Sequence, residues 1–336
     1  MVGEQLALWL AAAVASASLT IGLIMLTKPW LSRYLTAHPN ARSSHAVATP
    51  QGAGIAVMLA VLTVCAVVTI TLPLSVRPSL FPALATAMGL TVLGALDDAR
   101  AVPVSWRLMG QALAALVIVL TLPEDIRVLP GSVSLVAERG LIVLGTVWFL
   151  NAVNFLDGID WMTVAEVVPM TLGIAVLQLL GLLPPSIGFL ALTLLGAMIG
   201  FAVFNKHPAS IFLGDAGSLP VGLCLAYMLI FVAGIDVAAA LLFPLYTLAD
   251  ATITLGRRLI AGDSILTAHR SHFYQRAVVH GSTVPQVTGR VFVLGLLLAV
   301  FAITAALTPS VMLDLVLLVA GGAATALLLL RLGQTR

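Results

Sequence analysis

The chain has 336 residues, of which 60% are hydrophobic and only 9% charged, with a formal net charge of +2 at pH 7. Soluble globular chains carry about one-quarter charged residues, so this composition excludes that class. Continuous rather than alternating apolar runs exclude a β-barrel, which leaves an all-α, polytopic integral membrane protein.

A bilayer core of about 30 Å takes roughly 20 apolar residues per helix, and eleven such stretches are centred near residues 15, 62, 87, 115, 146, 172, 194, 226, 246, 299 and 320. In the first, the small residues of "AVASAS" follow an apolar core that no Lys or Arg precedes, so an uncleaved helix is expected rather than a signal peptide. Cys65 and Cys224 both fall inside apolar runs and read as small buried hydrophobes. With the N-terminus outside, eleven spans put thirteen basic residues on one side, among them Lys28, Arg42, Arg107, Lys206, Arg276 and Arg336; only Arg77, Arg127 and Arg139 fall on the other. The positive-inside rule then predicts an outward-facing N-terminus and a cytoplasmic C-terminus. All six histidines share the inner side. No soluble domain or internal repeat interrupts the chain, which reads as one transmembrane domain, 1–336, with cytoplasmic loops at 28–50, 97–107, 154–162, 205–218 and 257–290.

The polar residues concentrate at the inner ends of these helices. The segment "SSHAVATPQGAG", residues 43–54, opens the second helix, and its start offers unpaired amides to an anion near Thr49, Pro50 and Gly52. The third helix runs into "GALDDAR": adjacent Asp97 and Asp98 at a helix C-terminus oppose the dipole and call for a cation or a proton. The fifth ends in "NAVNFLDGID", where Asn154 and Asp157 share a helical face and Asp160 follows. "FNKHPASIFLGDAGS" places Asp215 between Gly214 and Gly217, whose missing side chains admit phosphate oxygens or a hydrated cation. A carboxylate there suits Mg²⁺, which combines a few protein carboxylates with substrate phosphates. The last loop carries "HRSHFYQRA": as a helix it would set His269, His272 and Arg276 in a cationic ridge suited to a diphosphate, with Asp250 orienting one of the bases. All five clusters fall on one membrane face, and together they describe phosphoryl transfer, which needs positioning and charge neutralisation more than covalent chemistry.

"ATPQGAG", the pair Asp97 and Asp98, "NFLDGID", "NKHPASIFLGDAGS" and "HRSHFYQR", in this order, resemble the polyprenyl-phosphate N-acetylhexosamine-1-phosphate transferase family. Within it, the split His269 and His272 pattern, in place of a triple-histidine loop, looks closer to the bacterial enzymes that start O-antigen and other surface glycans than to the cell-wall translocase. The resemblance implies transfer of a sugar 1-phosphate from a UDP-sugar to undecaprenyl phosphate, releasing UMP, with Mg²⁺ or Mn²⁺ as cofactor. Its partners would be these two substrates and membrane lipid, with no nucleic acid, and a homodimer is compatible with it. The resemblance also implies the inner (plasma) membrane of a bacterium, with the N-terminus periplasmic and the active site on the cytoplasmic face. By motif, Asp215 and Asp98 would bind the metal, Asp97 and Asp98 would serve the attacking lipid phosphate, and His269, His272 and Arg276 would contact diphosphate or sugar. Phe212 would stack on uracil, Asn205 would hold the nucleotide, and Asn154, Asp157 and Asp160 belong to the nucleotide-sugar motif. Thr49, Pro50, Gly52 and Arg270 complete the expected substrate contacts.

Two departures stand out: Trp161 where the family commonly has Gly, and Gly-Ala-Gly at 52–54 where it has three glycines. Two other classes compete. An ion-coupled transporter would carry its carboxylates near the bilayer midplane, and an intramembrane aspartyl protease would need Asp250 to face Asp215 at membrane depth.

Overall fold

The computed structural model describes residues 2–37, 48–71, 77–129, 131–264 and 269–334. Arg42, Arg336, residues 43–47 of the first polar segment and 265–268 of the last inner loop lie outside the described residues. In chain order the helices are α1 (Val2–Tyr34), α2 (Ala53–Thr71), α3 (Arg77–Ala99), α4 (Val104–Thr121), α5 (Leu135–Leu156), α6 (Met162–Leu179) and α7 (Pro185–Asn205). They continue with α8 (Asp215–Ala233), α9 (Val237–Leu242), α10 (Leu245–Ile260), α11 (Phe273–Val279), α12 (Val284–Leu307) and α13 (Val311–Gly333). A two-residue antiparallel pair, β1 (Thr36–Ala37) and β2 (Thr49–Pro50), joins the entry to α2 to the end of α1.

Among the described residues nine helices are long and apolar enough to cross a membrane: α1, α3 to α8, α12 and α13. The expected stretch near residue 62 is present as the 19-residue α2, and one of the eleven expected stretches differs: the one centred near 246 is not one helix. It breaks at Phe243–Pro244 into α9 and α10, because Pro244 has no amide hydrogen to continue the ladder. The chain is therefore an all-helical polytopic membrane protein.

The apolar stretch of α8 is 94% buried, against 22% for α1 and 28% for α13, so α8 is the axis of the bundle and those helices form its rim. Rim side chains such as Leu26, Leu120, Leu144 and Val319 are exposed although apolar, as lipid-facing residues are. With lipid outside, helix association comes from close packing rather than from burial against water, and small residues make that possible. A Cβ on Gly196 of α7 would lie 2.0 Å from the carbonyl oxygen of Ala13 in α1. The same rule sets the ground beneath the polar end. A Cβ on Gly54 would meet the Gly217 nitrogen at 2.1 Å, and one on Gly94 the Asp215 carbonyl oxygen at 2.2 Å, so α2, α3 and α8 touch through main chain.

Candidate functional site

The C-terminal ends of α3, α5 and α7 and the N-terminal ends of α2, α6 and α8 meet at one end of the bundle. There they surround a cleft of about 520 Å³ lined by Thr49, Gln51, Asp98, Asn154, Asp157, Asp160, Asn205, His207, Phe212, Asp215 and Gln275, among others. Segments far apart in the chain have thus delivered most of the polar residues singled out above to one cavity. Pro50, Gly52, Asp97, His269, Arg270, His272 and Arg276 do not line it.

The floor is the start of α8. Gly214 precedes it at φ 76° and ψ 174°, a backbone region essentially reserved for glycine. This turn points the first amides of α8 at Asp98: Oδ1 accepts from Asp215 N–H (2.9 Å) and Oδ2 from Ala216 N–H (3.1 Å). A carboxylate on a helix N-terminus gains from the dipole and from charge-assisted hydrogen bonds. Asp98 therefore anchors α3 to α8, while each of its oxygens keeps a further lone pair. Its neighbour Asp97 accepts from Val102 N–H (2.7 Å) and from Arg107 (2.7 Å), and the same Arg107 nitrogen lies 3.2 Å from Asp215 Oδ2. The other Asp215 oxygen accepts from Asn154 Nδ2 (2.8 Å).

One wall of the cleft is made by the α5–α6 turn. Helix α5 ends at Leu156, so Asp157 lies just past the helix rather than on its face, although it and Asn154 both reach the cleft. Asp157 hydrogen-bonds to the Thr163 hydroxyl. Burial pushes its carboxyl up to about 8; the Thr163 hydroxyl pulls it down, and the Asp215 and Asp98 carboxylates push it further up. Asp160 pairs with His207 Nδ1 (2.7 Å) and accepts from Ala209 N–H (3.0 Å), tying this turn to the α7–α8 loop. Asn205 spans the same gap. Its oxygen accepts from Trp161 N–H (2.7 Å) and its amide donates to Ile211 O (3.0 Å). That clamp holds Trp161 at φ 63°, a left-handed conformation that glycine enters without penalty, while the indole N–H is fixed to Ala202 O at 2.8 Å.

Two expected features turn out otherwise. The first amides of α2 are not open to an anion, since Ala53 N–H donates to Phe212 O (3.0 Å) and Gly54 N–H to Leu213 O (2.8 Å). Phe212 N–H in turn donates to Pro50 O (2.8 Å), so this backbone pairing carries Phe212 and Thr49 to the cleft rim. Gly52, at φ +100°, makes the turn into α2. Residues 269–272 form no helical ridge, because α11 begins only at Phe273. His269 and His272 instead stack, ring centroids 5.1 Å apart, and Arg276 donates to Gly333 O at the end of α13 (3.3 Å). His272 is buried against Asp250 (3.1 Å), which also accepts from Tyr246, Thr254 and the Phe273 and Tyr274 amides. Asp250 does orient a histidine, and its bonds are spent there rather than on Asp215. Burial, reinforced by His272 and Arg258 and opposed by Asp263, lowers His269 to about 4.

Sequence reasoning missed Arg107, Thr163, His207, Gln51 and Gln275. Gln51, His207 and Gln275 lie inside quoted motifs, so their chemistry was visible there. Arg107 and Thr163 sit in apolar helices, and only the three-dimensional arrangement brings them to acidic partners. Among the described residues no three His, Cys, Asp or Glu side chains form a metal-ligand group on their own. The hard carboxylate oxygens of Asp215, Asp98 and Asp157 at one cleft fit a cation such as Mg²⁺ that also takes water and phosphate oxygens.

Residues 80–233, which hold the carboxylate cluster, match the family model of glycosyl transferase family 4. The chain is 28% identical over 286 residues to a decaprenyl-phosphate N-acetylglucosaminephosphotransferase of Mycolicibacterium smegmatis, covering 73% of this chain and 69% of that protein. It is 27% identical over 228 residues to a probable undecaprenyl-phosphate N-acetylglucosaminyl 1-phosphate transferase of Bacillus subtilis, covering 63% and 62%. To a phospho-N-acetylmuramoyl-pentapeptide-transferase of Bacillus licheniformis it is 30% identical over 192 residues, covering 52% and 58%.

Proposed function

We propose, from the premise that this chain belongs to the polyprenyl-phosphate N-acetylhexosamine-1-phosphate transferase family, that it moves a sugar 1-phosphate from a UDP-sugar to undecaprenyl phosphate and releases UMP. The observation that carries this is the single cleft in which Asp98, Asn154, Asp157, Phe212 and Asp215 meet over the start of α8. A lipid phosphate has a second pKa of about 6 and is largely dianionic at neutral pH, so it needs little help from a base. One of its oxygens attacks the sugar-linked phosphorus in line, and the bond from that phosphorus to the bridging oxygen of UMP breaks. The sugar keeps its own C1–O bond, so anomeric configuration is retained.

Asp215, with Asp98 and Asp157 beside it, would hold Mg²⁺. That ion would supply charge neutralisation on the diphosphate and on departing UMP. The chain's own side chains do the rest. Asn154 fixes the Asp215 carboxylate, Asp98 fixes the backbone beneath it, and Asp160, His207 and Asn205 brace the wall where the nucleotide sits against Phe212. His269 and His272 do not line the cleft, and they are assigned no direct contact with the reacting phosphates in this proposal.

The cleft end faces the cytoplasm in this proposal, with eleven membrane-crossing segments if α2 and the broken α9–α10 pair are each counted as one. Support comes from the other described basic residues, which gather at the cleft end, while Arg77 opens α3 and Arg127 and Arg139 lie in the turn before α5 and its first turns, all at the far end. The test is release of labelled UMP from individual UDP-sugars by the purified protein in detergent with Mg²⁺. Release that depends on added undecaprenyl phosphate is expected; no release with any UDP-hexosamine would overturn the proposal.

A further inference from the structure

Arg107 brings a permanent positive charge to the carboxylate cluster from the first turn of α4. A guanidinium matches a carboxylate best through two parallel N–H bonds. Here a single terminal nitrogen serves two acceptors from different helices, Asp97 at 2.7 Å and Asp215 at 3.2 Å. Its Nε–H is buried with no acceptor among the described residues, and a buried donor left unmet is costly. The pose is not the one the guanidinium is shaped for. What holds it is the negative charge of two carboxylates that would otherwise face each other with no cation between them. A divalent ion meets the same need more compactly.

We propose that Arg107 is a placeholder cation: it bridges Asp97 and Asp215 while no metal is bound, and gives up Asp215 when a divalent ion takes that carboxylate. Arg107 stays attached through Asp97, the shorter contact, and its released N–H groups become available to an anion. The inference rests on the assignment of Asp215 as a metal ligand, and the experiment separates the two.

Mn²⁺ binding to the full-length protein in detergent, without substrate, is measured by the electron paramagnetic resonance signal of the free ion. If the free protein spends about nine-tenths of its time with Arg107 on Asp215, removing the competitor tightens apparent Mn²⁺ affinity about tenfold. Arg107→Gln is expected to show that gain, together with a lower melting midpoint in EDTA that Mn²⁺ restores. Arg107→Lys keeps the charge but has a single terminal nitrogen on a shorter reach; it is expected to gain affinity too, and it serves if the glutamine variant does not fold. Arg100→Gln removes an exposed charge next to the same helix end. An equal gain from Arg100→Gln would trace the effect to net charge and overturn the proposal, as would unchanged or weaker Mn²⁺ binding in both Arg107 variants. Undiminished Mn²⁺ binding in Asp215→Asn would instead sink the metal assignment itself.

Discussion

Gly214→Ala is the sharpest single test of the cleft floor. The backbone at this position has φ 76° and ψ 174°, a region that costs a residue with a Cβ about 1–3 kcal/mol. The added carbon would also stand 2.4 Å from Asp98 Oδ2 and 2.9 Å from its Cγ. No rotation of the alanine relieves that contact, so the Asp98 carboxyl must leave. Its bonds to the Asp215 and Ala216 amides go with it, and hydrogen bonds to a charged group contribute about 1.5–3 kcal/mol each. Strain plus one lost bond gives about 2.5–6 kcal/mol, and a second lost bond would add to it. Thermal unfolding in detergent should register this as a clear fall in midpoint, and UMP release should fall with it, since the Asp215 backbone is displaced. Gly140→Ala is the matched control: it lies in α5, where a Cβ would meet nothing within 4 Å, and a helical alanine is favoured over glycine. A Gly214→Ala protein with the parent's midpoint and turnover would refute the argument, whatever its control does.

Three further outcomes are expected. Asp215→Asn and Asp98→Asn should each lower turnover by about 10²-fold or more, on the scale of losing a preorganised electrostatic contact; substantial activity in both would dismiss the site. Asp157 holds its proton up to about pH 8, and a nearby dication favours the carboxylate. Mg²⁺ binding should therefore release protons and tighten as pH rises toward 8, and identical calorimetric heats in buffers of different ionisation enthalpy would argue against it. For His269 the sign runs the other way: with its folded value near 4, below the unfolded value of 6.5, the unfolded chain takes up the proton first. Stability should fall as pH drops through that window, and His269→Gln should flatten the decline; superimposable acid-side melting curves for parent and variant would count against the assignment.

Much of this site could be read from the chain because its acids sit at helix ends, where an apolar run stops and a carboxylate appears. Asp97, Asp98 and Asp215 are of that kind, and the amide of Asn154 stands at such an end as well. What local pattern cannot express is pairing across distance. Asp98 and Asp215 are 117 residues apart, and nothing near either one says that the first caps the helix of the second. Arg107 was passed over for the same reason: it was counted only among the inner-side cations, and nothing near it points to Asp215. The open amides expected at α2 failed because the strand-like backbone at 212–213 fills them, a partner supplied from elsewhere in the chain. The expected helical ridge failed because Asp250 captures the amides of Phe273 and Tyr274 and starts α11 there. Proline, by contrast, was a legible local signal: Pro244 marks the break that divides α9 from α10.

The contacts at Gly54, Gly94 and Gly217 have one mechanical corollary. Beneath the carboxylates α2 and α3 each abut the start of α8 peptide to peptide, at Gly54 and at Gly94, and at these two points the nearest atoms are main chain, which cannot switch rotamer and absorb a push. A change of bilayer thickness or of detergent that tilts the peripheral helices must either carry this junction along as one stiff block or leave it where it is. Aspartate geometry at the cleft is thereby insulated from the fluid around it.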